Sequence, residues 1–220
     1  MWINFILFQG YPYIAFFIFI GVTWFRCSRV KQVNFAEYKD TVNTKLFRVS
    51  NSIFHYSVTA LLLCHLIGLL TPERVYAVII TPHLKHYIAI LVGGLLGGVC
   101  FIAMTILVMQ KITHESRKKS PSIIFLFAIY FQLILGLCTI IFSKLNHGYS
   151  DMIALSNWAQ NLMILNMKSY KYIIDVPLVY KIHLVWGITL FVIFPFTKLV
   201  YVVKIPIKYM TRTGIQVASK

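Results

Sequence analysis

Long apolar segments with almost no charged residues are the main feature of the sequence. Five of them are each 22–24 residues long, and they cover residues 3–24, 49–72, 87–110, 121–143 and 182–203. A helix needs about 20 such residues to cross the hydrocarbon core of a bilayer, which is about 30 Å thick. The pattern therefore predicts an all-α polytopic membrane protein, a bundle of five transmembrane helices.

The composition agrees with a membrane protein and excludes other classes of protein. The 220 residues are 59% hydrophobic and 12% charged, with a mean hydropathy of +0.75, whereas about a quarter of the residues in a soluble domain are charged. The five spans use about half of the chain, which excludes a soluble enzyme. A membrane β-barrel is excluded because its strands are about 10 residues of alternating polarity. We therefore expect residues 1–220 to form a single membrane domain.

The net charge of +15 is distributed unevenly between the loops. If five spans alternate in direction, 15 of the 21 Lys and Arg residues lie on one side and six on the other. Cytoplasmic loops carry an excess of Lys and Arg, so we expect the amino terminus outside, the carboxyl tail in the cytoplasm, and the chain in the cell inner (cytoplasmic) membrane. We expect contact with lipid and no binding of nucleic acid, because no basic patch lies on a foldable soluble unit.

Three smaller patterns refine the bundle. The first span has no Lys or Arg before it, which is typical of an uncleaved helix rather than a leader. Gly93, Gly94, Gly97 and Gly98 form two interlocked GxxxG patterns, which predict close helix packing. Residues 151–168 have apolar positions at helical spacing and predict an amphipathic helix lying flat in the interface.

The candidate chemistry comes from the seven histidines. Four lie in loops or at span ends, where a solvated imidazole needs no special role: His83, His86, His114 and His147. Polar groups inside spans are costly and are by default functional. Three histidines are of this kind: His55, His65 and His183. The alternative is that each only forms a hydrogen bond with a neighbouring helix.

The directions of the spans place two of these histidines at the same depth. The second span runs outward and the fifth runs inward, so His65 and His183 both lie near the outer end. Two facing imidazoles in a helical bundle are typical of a bis-histidine haem b site. His55 lies about 15 Å from His65 along the same helix, and a partner for it is expected five turns after His183, where the residue is Tyr201.

Several longer motifs resemble one family. They are YPYIA at 11–15, SNSIFH at 50–55, HLIGLLTP at 65–72, NWAQ at 157–160, HLVWGITLF at 183–191 and FPFTKLV at 194–200. With them the sequence resembles, over essentially its whole length, the gamma (cytochrome b) subunit of membrane-bound respiratory nitrate reductase.

The resemblance implies a function that spacing alone does not show. Members of this family hold two haems b and anchor a cytoplasmic pair, an iron–sulfur beta subunit and a molybdenum-containing alpha subunit that reduces nitrate. Quinol is oxidised near the outer haem, and electrons pass inward. By resemblance, His65 and His183 hold the distal haem and His55 is a ligand of the proximal haem. Lys85 and Gly68 match residues of the quinol site.

Tyr201 departs from the family pattern, which has a histidine there. Three alternatives follow for the proximal haem. The Tyr201 phenolate ligates the iron opposite His55, as tyrosine does in some haem proteins. Otherwise the haem is five-coordinate or takes another ligand such as Met210, or it is absent.

Two other classes of protein remain alternatives. One is a haem b quinone-oxidoreductase subunit of a heterodisulfide-reductase-like or sulfite-reduction complex, which the copurifying partner would identify. The other is a small non-haem membrane transporter or assembly protein, which a reduced-minus-oxidised spectrum without a haem b band would favour.

Overall fold

The computed structural model describes residues 2–29, 45–114, 121–146 and 149–197, and all regular structure within these ranges is helical. The chain begins with α1 and a π-helical segment. The α-helices are α1 (Trp2–Phe5), α2 (Tyr11–Arg29), α3 (Lys45–Leu70), α4 (Glu73–Tyr76), α5 (Pro82–His114), α6 (Pro121–Leu145), α7 (Tyr149–Met163) and α8 (Leu178–Ile193).

Five helical segments in the described ranges are long and apolar enough to cross a membrane. They are Trp2–Ser28, Lys45–Leu70, Pro82–Gln110, Ile124–Leu145 and Leu178–Phe196. The prediction of an all-helical membrane protein with five spans is therefore confirmed. The helices extend beyond several of the predicted boundaries because their polar ends, such as residues 45–48 and 82–86, continue the same backbone hydrogen bonding.

Spans two to five pack in their sequence order, and the first span packs on the fifth. The second span (α3) packs on α5, α5 on α6, α6 on α8, and α8 on α2. The second and fifth spans are therefore joined through the two spans between them. The predicted glycine packing is confirmed between α5 and α6: a Cβ on Gly97 would lie 3.2 Å from Leu137 Cδ2, and one on Gly93 would lie 3.5 Å from Ile140 Cδ1.

One end of the bundle is covered by α7 and the 3-10 helix Ser169–Ile173, which together we call the cap. Trp158 and Ile173 of the cap are buried with Phe8 of the first span and Tyr180 of α8 in one apolar cluster. A second cluster lies deeper in the bundle, around Phe54, Cys100, Ala103, Met104, Leu107 and Val108.

A proline in the first span explains how the cap is attached to it. Residues Ile6–Gly10 form a π-helix, and Pro12 follows within the first turn of α2. Proline has no N–H, so it cannot donate to the Phe8 carbonyl four residues earlier. The indole Nε1 of Trp158 donates to that carbonyl at 2.8 Å. The helix irregularity and the cap are therefore joined by one buried hydrogen bond.

The helix predicted over residues 151–168 is shorter than expected. The structure has α7 from Tyr149 to Met163, and the chain then turns at Leu165, whose φ is +59°. One face of α7 is buried against the spans through Ser156, Trp158 and Ala159. The prediction of a helix is confirmed over its first part, and the placement in the membrane interface stays a prediction.

The helix of the fifth span ends earlier than the prediction of Tyr201 as a haem ligand assumed. That prediction required an unbroken α-helix from residue 183 to residue 201. Instead α8 ends at Ile193, a 3-10 turn covers Phe194–Phe196, and Thr197 is extended. Pro195 lies in this turn and cannot donate a backbone hydrogen bond. The assumption of an unbroken helix was therefore wrong, whereas Tyr201 itself lies outside the described residues and its pairing with His55 stays a prediction.

Candidate functional site

The imidazole rings of His65 and His183 face each other from α3 and α8. Their centroids lie 6.3 Å apart, and their planes form an angle of 41°. A metal–imidazole nitrogen bond is about 2 Å and the ring centre lies about 1 Å further, so two imidazoles on one metal have centroids about 6 Å apart. The structure thus brings these two residues together, as the sequence predicted. The separation of their rings suits ligands on opposite sides of one metal ion.

A hydrogen bond fixes which nitrogen of His65 is free to bind. Its Nδ1 lies 2.8 Å from the carbonyl oxygen of Leu61, one turn earlier on α3. A carbonyl only accepts hydrogen bonds, so Nδ1 carries the proton, and Nε2 of the neutral ring keeps its lone pair. A backbone carbonyl in this role is the usual partner of a metal-binding histidine.

His183 is held in the bundle by the fourth span. A Cβ on Gly136 of α6 would lie 3.2 Å from Cε1 of the His183 ring, so any larger residue at this position would require the ring to shift. The Nδ1 of His183 is buried and has no hydrogen-bond partner among the described residues. A buried polar atom without a partner is costly and is typical of a functional position.

The described residues contain no group of three or more His, Cys, Asp or Glu side chains that could hold a metal ion. A metal between His65 and His183 would need further ligands besides these two imidazoles. A porphyrin supplies four equatorial nitrogens and leaves two axial positions, which is the number of imidazoles present. The donor set and its separation thus fit a haem with two histidine ligands.

His55 has the same local geometry as His65. Its Nδ1 lies 2.7 Å from the carbonyl oxygen of Asn51, so its Nε2 is likewise free. The structure does not bring it together with the other two histidines, because it lies ten residues before His65 on α3. Its expected partner, Tyr201, and the alternative ligand Met210 are outside the described residues.

Lys85 and Gly68 lie on neighbouring helices at the cap end. The Lys85 Nζ lies 3.8 Å from the centre of the Tyr76 ring, and this buried atom has no hydrogen-bond partner among the described residues. No atom lies within 4 Å of where a Cβ on Gly68 would be. Lys85 thus contacts Tyr76, which the sequence did not single out.

His86 corrects the expectation of a solvated imidazole. It is only 7% exposed, because Tyr149 of the cap covers it with ring centroids 6.4 Å apart. His83 is exposed as expected, but its ring stacks on the same tyrosine at 4.2 Å. His114 ends α5, and His147 lies outside the described residues.

Burial changes the ionisation of two groups near His86. Burial raises the pKa of the Asp151 carboxyl, and the nearby His86 partly opposes this. Burial also raises the pKa of the Tyr76 hydroxyl, with smaller contributions in the same direction from Glu73 and Tyr149. The cap end therefore brings several titratable side chains close to Lys85.

The cap also supplies hydrogen bonds to the end of α3, just beyond His65. The last four carbonyls of a helix have no partner within it. Gln160 Nε2 donates to the carbonyls of Leu69 at 3.1 Å and Thr71 at 3.3 Å, and Ser156 Oγ donates to that of Gly68 at 3.4 Å. The cap thus fixes the helix end that carries His65.

Buried Gln9 ties the first span to the cap. Its Nε2 donates to the Asn166 carbonyl at 3.2 Å, and Ser169 Oγ donates to its Oε1 at 2.6 Å. Sequence reasoning did not assign a role to Gln9 or Gln160. The signal available was an uncharged polar side chain at the end of an apolar span, which requires a partner when it is buried.

Comparison with known proteins agrees with this architecture. The family described as nitrate reductase gamma subunit matches residues 4–220. The chain is 30% identical to respiratory nitrate reductase 2 gamma chain of Escherichia coli (strain K12), covering 96% of this chain and 95% of that one. It is 28% identical to respiratory nitrate reductase 1 gamma chain of the same organism, with the same coverage. Nitrate reductase gamma chain of Bacillus subtilis (strain 168) is 28% identical over 93% of both chains.

Proposed function

The chain belongs to the nitrate reductase gamma subunit family, and we propose that it is the haem b membrane subunit that oxidises quinol for a respiratory nitrate reductase. The observation that carries this proposal is the pair His65 and His183, with ring centroids 6.3 Å apart on the second and fifth spans. The free Nε2 of His65 supports the same role, because a neutral imidazole nitrogen is an axial ligand of haem.

His65 and His183 would hold the haem at the cap end, and His55 would hold one side of a second haem nearer the opposite end. The chemistry that such a group would supply is one-electron transfer. The chain's own residues orient the ligands: the Leu61 and Asn51 carbonyls fix the tautomers of His65 and His55. Gly136 leaves the space that the His183 ring occupies.

Lys85 is the proposed polar contact for quinol. Its ammonium donates a hydrogen bond to a quinol oxygen and stabilises the negative charge that develops there when the proton leaves. The support is that Nζ is buried, contacts the Tyr76 ring and forms no hydrogen bond within the described residues. Gly68 contributes open space beside the end of α3, where a flat ring can approach the backbone.

The direction of electron flow follows from the expected orientation. If the spans alternate in direction, 15 of the 21 Lys and Arg residues are expected on the side opposite the cap. We therefore place that side in the cytoplasm and the cap on the outer face of the cell inner membrane. The proposed partners, an iron–sulfur beta subunit and a molybdenum-containing alpha subunit, then dock on the basic cytoplasmic side. Quinol protons are released at the cap.

The test is to purify the complex from membranes and record a reduced-minus-oxidised spectrum, with quinol as reductant and nitrate as oxidant. We expect a haem b band that quinol reduces and nitrate reoxidises. A His65→Leu variant should lose the haem at the cap end and quinol oxidation together. His83→Gln is the matched control, because it changes an exposed histidine at the same end of the bundle.

Three outcomes would contradict the proposal. A wild-type complex without a haem b band favours a non-haem membrane protein. A band that quinol reduces but nitrate does not reoxidise, with a different cytoplasmic partner, favours a related quinone-oxidoreductase subunit. Equal spectra of wild type and His65→Leu would exclude His65 as a ligand.

A further inference from the structure

The fourth span lies directly against the His183 ring, although it carries none of the proposed ligands. A Cβ on Gly136 would lie 3.2 Å from Cε1 of His183, 3.8 Å from Nδ1 and 3.9 Å from Nε2. Cε1, the carbon between the two nitrogens, is therefore the ring atom closest to this position on α6. A side chain at position 136 would require the ring to shift by a few tenths of an ångström.

In a second contact between the same two helices, the glycine lies on α8 and the larger side chain lies on α6. Gln132 lies one turn before Gly136 on α6, and Gly187 lies one turn after His183 on α8. A Cβ on Gly187 would lie 3.0 Å from Nε2 of Gln132. That Nε2 donates a hydrogen bond to the His183 backbone carbonyl at 3.2 Å. Each helix thus offers a glycine to the larger side chain of the other.

The two contacts act on different parts of the same residue. Gln132 fixes the backbone of His183, and Gly136 limits where its ring can lie. Trp186 adds a further link, because its Nε1 donates to the Ala128 carbonyl of α6 at 2.9 Å. The ring is bounded by α6 on one edge and faces His65 at 6.3 Å. A methyl group added at position 136 would therefore press on the His183 ring from the side of α6.

From this arrangement we infer that Gly136 and Gln132 are positioning residues that set the ring plane of His183, and through it the properties of the haem at the cap end. The inference rests on the proposed function, since it concerns a haem ligand. Ligand orientation and distortion are among the means by which a protein tunes a haem. The 41° angle between the two imidazole planes is the quantity that these residues would control.

The experiment compares Gly136→Ala with Gly98→Ala in the purified complex. Gly98 is the matched control, because it lies in a neighbouring span and nothing lies within 4 Å of its Cβ position. The readouts are the g values of the low-spin ferric haem, which depend on the angle between the ligand planes, and its midpoint potential. We expect both to shift in Gly136→Ala and to stay at wild-type values in Gly98→Ala.

If the Gly136→Ala complex does not assemble, a second variant is used for the test. Gln132→Met keeps the length of the side chain and removes the hydrogen bond to the His183 carbonyl, so we expect a shift of the same haem signal. If Gly136→Ala has wild-type g values and midpoint potential, the inference is overturned and the proposed function is not. The same holds for Gln132→Met where that variant is used. A wild-type complex without haem would overturn the proposed function, and the inference with it.

Discussion

The ammonium of Lys85 lies 3.8 Å from the centre of the Tyr76 ring, over its face. The two residues are nine positions apart and are joined by the loop between the second and third spans. A cation over an aromatic face is attracted by the ring quadrupole, by about 0.5–1 kcal/mol at exposed sites. Tyr76 therefore holds Lys85 in a defined place at the cap end while leaving its N–H groups available to a ligand.

Replacing Tyr76 should weaken quinol binding and leave the later steps of the reaction unchanged. Tyr76→Leu removes the aromatic face, and we expect the KM for quinol to rise about 2–5-fold, since 1.4 kcal/mol corresponds to tenfold in affinity. Tyr76→Phe keeps the ring and should retain the wild-type KM, with kcat unchanged in both. Tyr87→Leu is the control, an exposed tyrosine on the same helix as Lys85. Equal KM values for the Phe and Leu variants would argue against this role.

The hydrogen bond between Trp158 and the Phe8 carbonyl should matter for stability. Trp158→Phe keeps an aromatic ring but leaves that buried carbonyl without its donor, and we expect a loss of about 1–3 kcal/mol in the free energy of unfolding. Denaturant unfolding in detergent measures it. Trp2→Phe serves as the control, since Trp2 is 81% exposed. A loss of the same size in both variants would show that the hydrogen bond is not the cause.

The stability of the cap end should depend on pH through Asp151. Burial raises the pKa of its carboxyl, so the folded state holds this proton more tightly than the unfolded state. The contribution of Asp151 to stability therefore falls as pH rises from the unfolded pKa, about 3.9, through the raised folded pKa, and stays constant above it.

Asp151→Asn removes the partly buried carboxylate, so it should be more stable than wild type at neutral pH. The difference should shrink as pH falls toward about 4. Unfolding measured across this pH range tests the prediction, and Asp175→Asn controls for removing an exposed carboxylate at the same end. A difference that grows on acidification would show that the sign is wrong.

The number of haems per chain tests the roles of His55 and Tyr201. We expect two haems in the purified complex, with the second bound through His55 and with altered ligation at position 201. His55→Leu should reduce the ratio to one. Tyr201→His should convert the second haem to the bis-histidine spectrum if the tyrosine is a ligand. One haem per wild-type chain would exclude its retention, and an unchanged Tyr201→His spectrum would count against tyrosine ligation.

The features that the sequence predicted well are those that depend on local composition and on helix direction. An apolar run of about 20 residues has one stable form in a membrane, so the number of spans followed directly. Alternating direction then gave His65 and His183 the same depth. That their rings lie close together could also be predicted, because polar side chains inside spans usually turn toward other helices.

The features that the sequence did not predict depend on partners far along the chain. His86 is buried because Tyr149 covers it, and Gly136 is needed because His183 lies against it. The end of α8 is similar: Arg26 of the first span donates to the carbonyls of Pro195 and Thr197, which supports the turn that interrupts the fifth span. No window of sequence around these residues contains the group that determines their environment.

The order in which the spans pack has a consequence for biogenesis. His65 lies in the second span and His183 in the fifth, while α5 and α6 join the two in space. The ribosome therefore releases four spans before the second imidazole of the pair exists. A chain truncated after α6 retains His65 and lacks His183. Under the proposed function, a haem that needs both histidines can therefore be bound only after the last span has been synthesised.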